Sequence, residues 1–226
     1  MCGISGIFNG DISLPIAPNR LAAMAAMLHH RGPDNFGYKT IQGRGIGFSH
    51  ARLSIIGLDE NKGRQPFLSE DQNLLLVQNG EFYDYKKIRA NLSLHGAKFQ
   101  TKVDTEIVLH LYPRYGLEGT LRQLRGDFAF SLYDKNRDIC YLVRDRFGVR
   151  PLYWALHKNQ LFFASEIKAI FANPEVPRKI GSHQLLHQIM QTMVPGMTAF
   201  EGINQLNPGH YLEIKTRRWQ YFGRRN

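Results

Sequence analysis

The stretch FAFSLYDKNRDICYLVRDRFGVRPLYWALHKNQLFFA, Phe128 to Ala164, decides the fold. Phe128 to Tyr133 and Ile139 to Val143 are runs rich in strand-forming residues. The polar Asp134-Lys135-Asn136-Arg137-Asp138 joins them, which predicts a hairpin. Leu152 to His157 and Leu161 to Ala164 repeat the pattern and turn at Lys158-Asn159. Strands paired this way, with helices grouped elsewhere, are not the strand-helix alternation of a parallel doubly wound sheet. Working outward, Ile4 to Phe8 lies between Gly3 and Gly10 and reads as a buried strand. GFSHARLSII (47–56) and Leu74 to Val77 read as further strands. Helices are predicted at Leu21 to Leu28 with Asn19 as cap, at Tyr85 to Leu94, and at Thr105 to Tyr115, which Pro113 should end or bend. The expected class is α+β: a sandwich of two mainly antiparallel sheets with helices outside. No domain boundary is expected before about residue 205.

The chain has 226 residues, 43% of them hydrophobic and 21% charged, which is enough apolar surface for a packed core and excludes a disordered or fibrous protein. Its 29 basic residues exceed its 19 acidic ones, for a net charge of +10. That excess fits nucleic acid, an acidic partner or a piece of a larger protein. The basic residues are spread widely and form no nucleic-acid-binding motif, so no nucleic acid is expected. No apolar run approaches the ~20 residues of a membrane helix, so no membrane is expected either. The start MCGISGIFNGD lacks a basic leader and reaches Asp11 too soon for a signal peptide, which points to the cytoplasm. Cys2 and Cys140 offer neither a disulfide framework nor a C-x2-C pair. His29, His30 and His50 lack the spacing of a structural zinc site, so no metal is expected.

Cys2 carries the chemistry. Aminopeptidases remove Met1 when a small residue follows, leaving a thiol and a free α-amine on one residue. An α-amine with a reference pKa of about 7.7–8.0 can take the proton of a thiol near 8.5, so one residue supplies nucleophile and base. The bland alternative is a small hydrophobe at a frayed end. G-I-S-G-I-F, running at once into a buried strand, argues for a Cys2 held inside the fold. Asn79-Gly80, after an apolar strand, has two meanings. Between extended runs it is first of all a type I′ turn, but an Asn amide and a Gly N–H can also converge on an oxyanion. Arg52, among apolar neighbours, needs an anion, either a substrate carboxylate or a structural partner. Asp104 opens D-T-E and can cap a helix or receive a substrate ammonium.

Together these elements resemble the class II, N-terminal-nucleophile glutamine amidotransferases, and most closely the glutaminase domain of glutamine-hydrolysing asparagine synthetases. The matching blocks begin with M-C-G-I-S-G-I-F, R-G-P-D (31–34), H-A-R-L-S-I-I (50–56), N-G-E-F-Y (79–83) and D-T-E (104–106). They continue with L-R-G-D-F-A-F-S-L-Y-D (124–134), R-D-R-F-G-V-R-P-L-Y (144–153), F-A-S-E-I-K-A-I (163–170) and L-N-P-G-H (206–210). They are collinear over nearly the whole chain. The Cys-Gly-Ile start is shared with amidophosphoribosyltransferase and glucosamine-phosphate synthase; the later blocks point to the asparagine synthetase branch.

The resemblance implies an N-terminal-nucleophile-hydrolase-like fold and a glutaminase. Cys2 matches the nucleophile, and Asn79 and Gly80 match the oxyanion hole. Arg52 matches the group that holds the glutamine α-carboxylate, and Asp104 the one that receives the α-ammonium. Glu81 and the backbone of Leu53, Ile55 and Ile56 match the rest of the glutamine pocket. Asp84 and Val103 depart from the family, which often has Asn and Ser or Thr there, without removing a catalytic group. β-Lactam synthetases, which lose the cysteine, show that a relative can fall silent, and a silent regulatory or interaction remnant is the alternative for this chain. The family's S-G-G-x-D-S loop for ATP does not occur here. Gly43-Arg44-Gly45-Ile46-Gly47 also lacks the Lys-Ser/Thr of a phosphate-binding loop and reads as entry into a strand. Hence no cofactor is expected in this domain, with ATP and magnesium confined to an absent synthetase domain or subunit that would receive the ammonia. Residues 1–215 are expected to form the amidotransferase domain, an isolated glutaminase whether naturally short or truncated. Residues 216–226 are expected to be a basic tail or the start of a linker.

Overall fold

The two hairpins form as predicted, and each joins a different sheet. The computed structural model describes residues 1–54, 63–192, 194–215 and 224–225. In chain order these give β1 (Gly3–Asn9), α1 (Pro18–Ala26), β2 (Asn35–Thr40), β3 (Ile46–Arg52), β4 (Phe67–Leu68), β5 (Leu74–Phe82), α2 (Tyr85–Leu94) and α3 (Ile107–Gln123). There follow β6 (Gly126–Asp134), β7 (Ile139–Arg144), β8 (Tyr153–His157), β9 (Gln160–Ala164), α4 (Ile167–Ile170), α5 (Ser182–Ile189), β10 (Ile203–Gln205), β11 (His210–Lys215) and β12 (Arg224–Arg225). Among the described residues the strands make two six-stranded antiparallel sheets, ordered β10-β8-β9-β1-β3-β2 and β12-β11-β7-β6-β5-β4. Among the same residues no helix is long and apolar enough to cross a membrane.

Period-2 alternation divides each strand between two layers. Ile4, Phe8, Ile46, Phe48 and Phe163 of the first sheet meet Leu75, Val77, Tyr133, Leu142 and Ile214 of the second, with Phe8 and Tyr133 rings 5.8 Å apart. The opposite face of the first sheet packs on Leu21, Met24 and Leu28 in and just after α1. That of the second packs under α2 and α3 through Leu76, Phe82, Phe130, Ile107 and Leu111. The order is therefore helix, sheet, sheet, helix, the sandwich expected from the sequence.

Three local expectations change. α1 starts at Pro18, whose fixed φ and missing N–H suit the first turn, so Asn19 lies inside the helix and caps nothing. Asn79-Gly80 is no turn: β5 runs on through Phe82, with Asn79 opposite Ala129 and Gly80 opposite Phe128. Pairing with β6 overrides the local dipeptide signal. Gly80 sits at φ +126°, where a Cβ would lie 1.9 Å from the Asp127 carbonyl oxygen, so glycine serves a close approach here. Finally, α3 passes through Pro113 and is interrupted at Gly116 (φ 64°, ψ −175°).

Candidate active site

The same alternation that builds the inter-sheet core also builds a pocket at its end. On β3 the inward series Ile46, Phe48 continues as His50 and Arg52. On β5, Leu75 and Val77 lead to Asn79, and on the N-terminal segment Phe8 and Ile4 lead back to Cys2. Apolar residues give way to polar ones at the same end of three strands. The resulting cavity, about 90 Å³, is lined by Cys2, Arg52, Leu53, Asn79, Gly80, Glu81 and Asp104, together with His50, Gln78 and Arg150. Ile55 and Ile56 lie outside the described residues. A larger groove of about 670 Å³, between α3 and the start of β5, has no cysteine in its lining.

Cys2 is held through its sulfur and its carbonyl. Its Sγ is 3.4 Å from the Leu53 N–H and 3.5 Å from the Leu53 carbonyl oxygen, and its own carbonyl accepts Arg31 Nε–H at 2.9 Å. Burial raises the thiol pKa, and Asp104 adds to the rise. The Leu53 N–H, the terminal charge and Arg52 oppose it without cancelling it. At neutral pH the thiol therefore needs a base. Cys140, fully buried between the sheets, is pushed up by burial to about 12, which leaves it inert.

Asn79 is fully buried, and neither atom of its side-chain amide has a hydrogen-bond partner. An unpaired buried amide costs on the order of 1–3 kcal/mol, a cost that a bound ligand would remove. Asp104 is the first residue of the 3-10 turn Asp104–Glu106, whose N-cap position is Val103, and the Thr105 N–H of that turn helps to stabilise its carboxylate. Its Oδ2 accepts the Phe82 N–H at 2.8 Å and Gln78 Nε2–H at 3.5 Å. Burial, the largest influence, raises its pKa against those hydrogen bonds. A cation entering the pocket would oppose that rise and favour the carboxylate. Arg52 is 5% exposed on the same wall, and a Cβ on Gly63 would lie 2.4 Å from its guanidinium, so Gly63 leaves room for it.

Several lining residues carry no signal in the sequence taken alone. His50 is fully buried and, by burial first and the Arg52 charge second, driven down to about 3. It is a neutral imidazole and cannot serve as an acid. Gln65 Oε1 accepts the Gln78 N–H at 2.6 Å. Arg150 pairs with Asp127. It stands on a loop that Asp145 holds by accepting the N–H groups of Phe147, Val149 and Arg150 at 3.0–3.1 Å. R-G-P-D and R-D-R-F-G-V-R-P-L-Y were the available clues, since Asp34 also accepts the Ser54 N–H at 2.7 Å, beside Leu53. Among the described residues no three His, Cys, Asp or Glu side chains are grouped to hold a metal.

A family described as the glutamine amidotransferase domain matches residues 1–222. Asparagine synthetase [glutamine-hydrolyzing] 2 of Bacillus subtilis is 40% identical over 225 residues, covering 95% of this chain and 29% of the relative. Amidase chry2 of Gibberella zeae is 38% identical over 223 residues, covering 94% of this chain and 32% of its own length. The chain thus spans under a third of either relative. In fold, it resembles the glutamine phosphoribosylpyrophosphate amidotransferase of B. subtilis, with a TM-score of 0.71 at 21% identity, over 99% of this chain and 49% of that one.

Proposed function

The chain belongs to the glutamine amidotransferase domain family, and from that premise we propose that it hydrolyses the side-chain amide of L-glutamine through a Cys2 thioester. The observation that carries this is the convergence of Cys2, Arg52, Asn79 and Asp104 on one small cavity, from separate segments of the chain. Met1 is 51% exposed and open to an aminopeptidase. Its removal gives Cys2 a free α-amine. That amine takes the thiol proton, and the thiolate attacks the side-chain carbonyl carbon of glutamine. The oxyanion rests on the Asn79 amide N–H and the Gly80 N–H. The protonated amine returns the proton to the departing nitrogen, which leaves as ammonia. Water then cleaves the γ-glutamyl thioester, giving glutamate and restoring the thiol. Glu81 and Leu53 complete the pocket wall. The ammonia serves an asparagine-synthetase-type amidation on a synthetase domain or subunit, as the names of the relatives suggest.

The pocket end formed by Arg52 and Asp104 recognises a free amino acid. Arg52 offers a two-donor fork to the α-carboxylate, and Asp104 a charge to the α-ammonium. Ammonia release should be measured with glutamine, N-acetylglutamine and glutamine α-amide. Turnover is expected with glutamine and is expected to fall steeply with either blocked analogue, and Arg52→Lys should weaken glutamine use markedly. Equal turnover of all three substrates would dismiss both residues as the clamp.

Asn79 should act mainly in the transition state. Asn79→Ala is expected to lower kcat by about 10²–10³, or roughly 2.7–4 kcal/mol, with a much smaller rise in KM. A normal kcat in that variant would remove Asn79 from the oxyanion hole.

A further inference from the structure

We propose that Glu166 is a positioning residue for Cys2, acting through Arg31; the proposal rests on Cys2 being the nucleophile. β1 begins at Gly3, so Cys2 precedes the first paired residue of the ladder. A residue at a chain terminus is the easiest to fray, yet the chemistry requires its sulfur and its α-nitrogen in fixed places. The Cys2 carbonyl is taken by Arg31 Nε–H at 2.9 Å. This contact pins the Cys2–Gly3 peptide plane, from which both Cα substituents hang. The Leu53 backbone, touching Sγ, fixes the remaining rotation.

An arginine side chain has many rotamers and holds a carbonyl firmly only if it is itself held. Arg31 Nη1 donates to Glu166 Oε1 at 2.9 Å, so two different nitrogens of one rigid guanidinium are engaged, on Cys2 and on Glu166. The Arg31 side chain is 9% exposed. The turn that carries it is seated tightly on β3, for a Cβ on the next residue, Gly32, would lie 2.3 Å from the Ala51 carbonyl oxygen. Glu166 is anchored in turn: His30 Nε2 is 2.9 Å from its Oε1, and Lys168 Nζ is 3.3 Å from its Oε2. Burial opposes its charge, but the hydrogen bonds from Arg31, His30 and Lys168 win and hold the carboxyl at about 2, so it stays ionised. Its neighbour Ser165 joins the same strand end, its Oγ accepting the Ile4 N–H at 3.0 Å and its N–H donating to the Ile4 carbonyl at 2.8 Å. Glu166 does not line the Cys2 cavity. Its influence on the thiol passes through the guanidinium.

The test uses the full chain with Met1 removed, verified by mass, as wild type, Glu166→Ala, Glu166→Gln, Arg31→Ala and the double variant. The readouts are kcat and KM for ammonia release from glutamine, and the rate of Cys2 alkylation by iodoacetamide, which needs no glutaminase activity. Glu166→Ala is expected to lower kcat roughly 10-fold with KM within about 2-fold, and to slow alkylation several-fold. Glu166→Gln, whose amide oxygen still accepts from Arg31, should recover most of both. Adding Glu166→Ala to Arg31→Ala should cost nothing further, because the path is already cut. Unchanged kcat and alkylation in a folded Glu166→Ala protein would overturn the proposal, as would an equal loss in the presence and absence of Arg31. If Glu166→Ala does not fold, Glu166→Gln decides, and a loss there as large as that of Arg31→Ala overturns it. Should the wild type release no ammonia at all, the glutaminase reading fails, and the alkylation series alone supports or overturns the clamp.

Discussion

Cys2→Ala is expected to abolish glutamine hydrolysis, lowering ammonia release by about 10⁴-fold or more, while the protein remains folded. Loss of a nucleophile is felt on that scale because, among the described residues, no second thiol lines the pocket to form the thioester. Folding should survive, since the Cys2 side chain is small and its thiol's hydrogen-bond contacts are with the Leu53 backbone. Cys140→Ser is the matched control. That thiol lies between the sheets beside Ser131, 3.5 Å away, remote from the pocket lining. Ammonia assay and thermal melts of both variants check the assignment. Full activity in folded Cys2→Ala protein, or its loss in folded Cys140→Ser protein, would reverse it.

Protein that retains Met1, or carries one extra residue before Cys2, should lose nearly all glutaminase activity. The nitrogen of Cys2 is then a peptide nitrogen with no basic lone pair. Burial has raised the thiol pKa, so little thiolate forms without a base. General base catalysis of this kind contributes about 10²–10⁴-fold, and the preceding residue additionally crowds the mouth of a small cavity that Met1 itself lines. Intact mass and ammonia release, measured on the same samples, give the comparison. Full turnover from protein whose mass includes Met1 would exclude the α-amine as the base. The two variants also separate two kinds of loss, since Cys2→Ala removes the attacking atom and Met1 retention removes only the proton acceptor.

Much of the site was legible as motif and little of it as geometry. The resemblance pointed to Cys2, Arg52, Leu53, Asn79, Gly80, Glu81 and Asp104, which line one cavity, and to Ile55 and Ile56, which lie outside the described residues. Residue chemistry by itself left Asn79-Gly80 as a turn before anything else and Asp104 open between a helix cap and a receiver of an ammonium. Arg31 and Arg150 gave no signal beyond the blocks that contain them, because each pairs with residues distant in sequence. Arg31 meets Cys2 across 29 residues and Glu166 across 135.

The hairpins, most of the helix positions and the α+β class follow from the sequence read locally. Those features are encoded within about ten residues by periodicity and turn chemistry. Lys158 and Asn159 both take positive φ in a two-residue loop, as their strand-flanked setting predicts. Tyr85–Leu94 is a helix over the range expected. Tertiary structure alone decided that β5 continues through Asn79 and Gly80, because only β6, some fifty residues later, supplies the pairing that holds them extended. It also decided which polar residues meet. Cys2, His50, Arg52 and Asn79 share a cavity because the registers of β1 on β3 and of β5 on β6 place their inward positions at one end of the core. A slip of one residue would turn each side chain to the opposite face. Register is set by burial of the whole inter-sheet core, and no local stretch of sequence contains it.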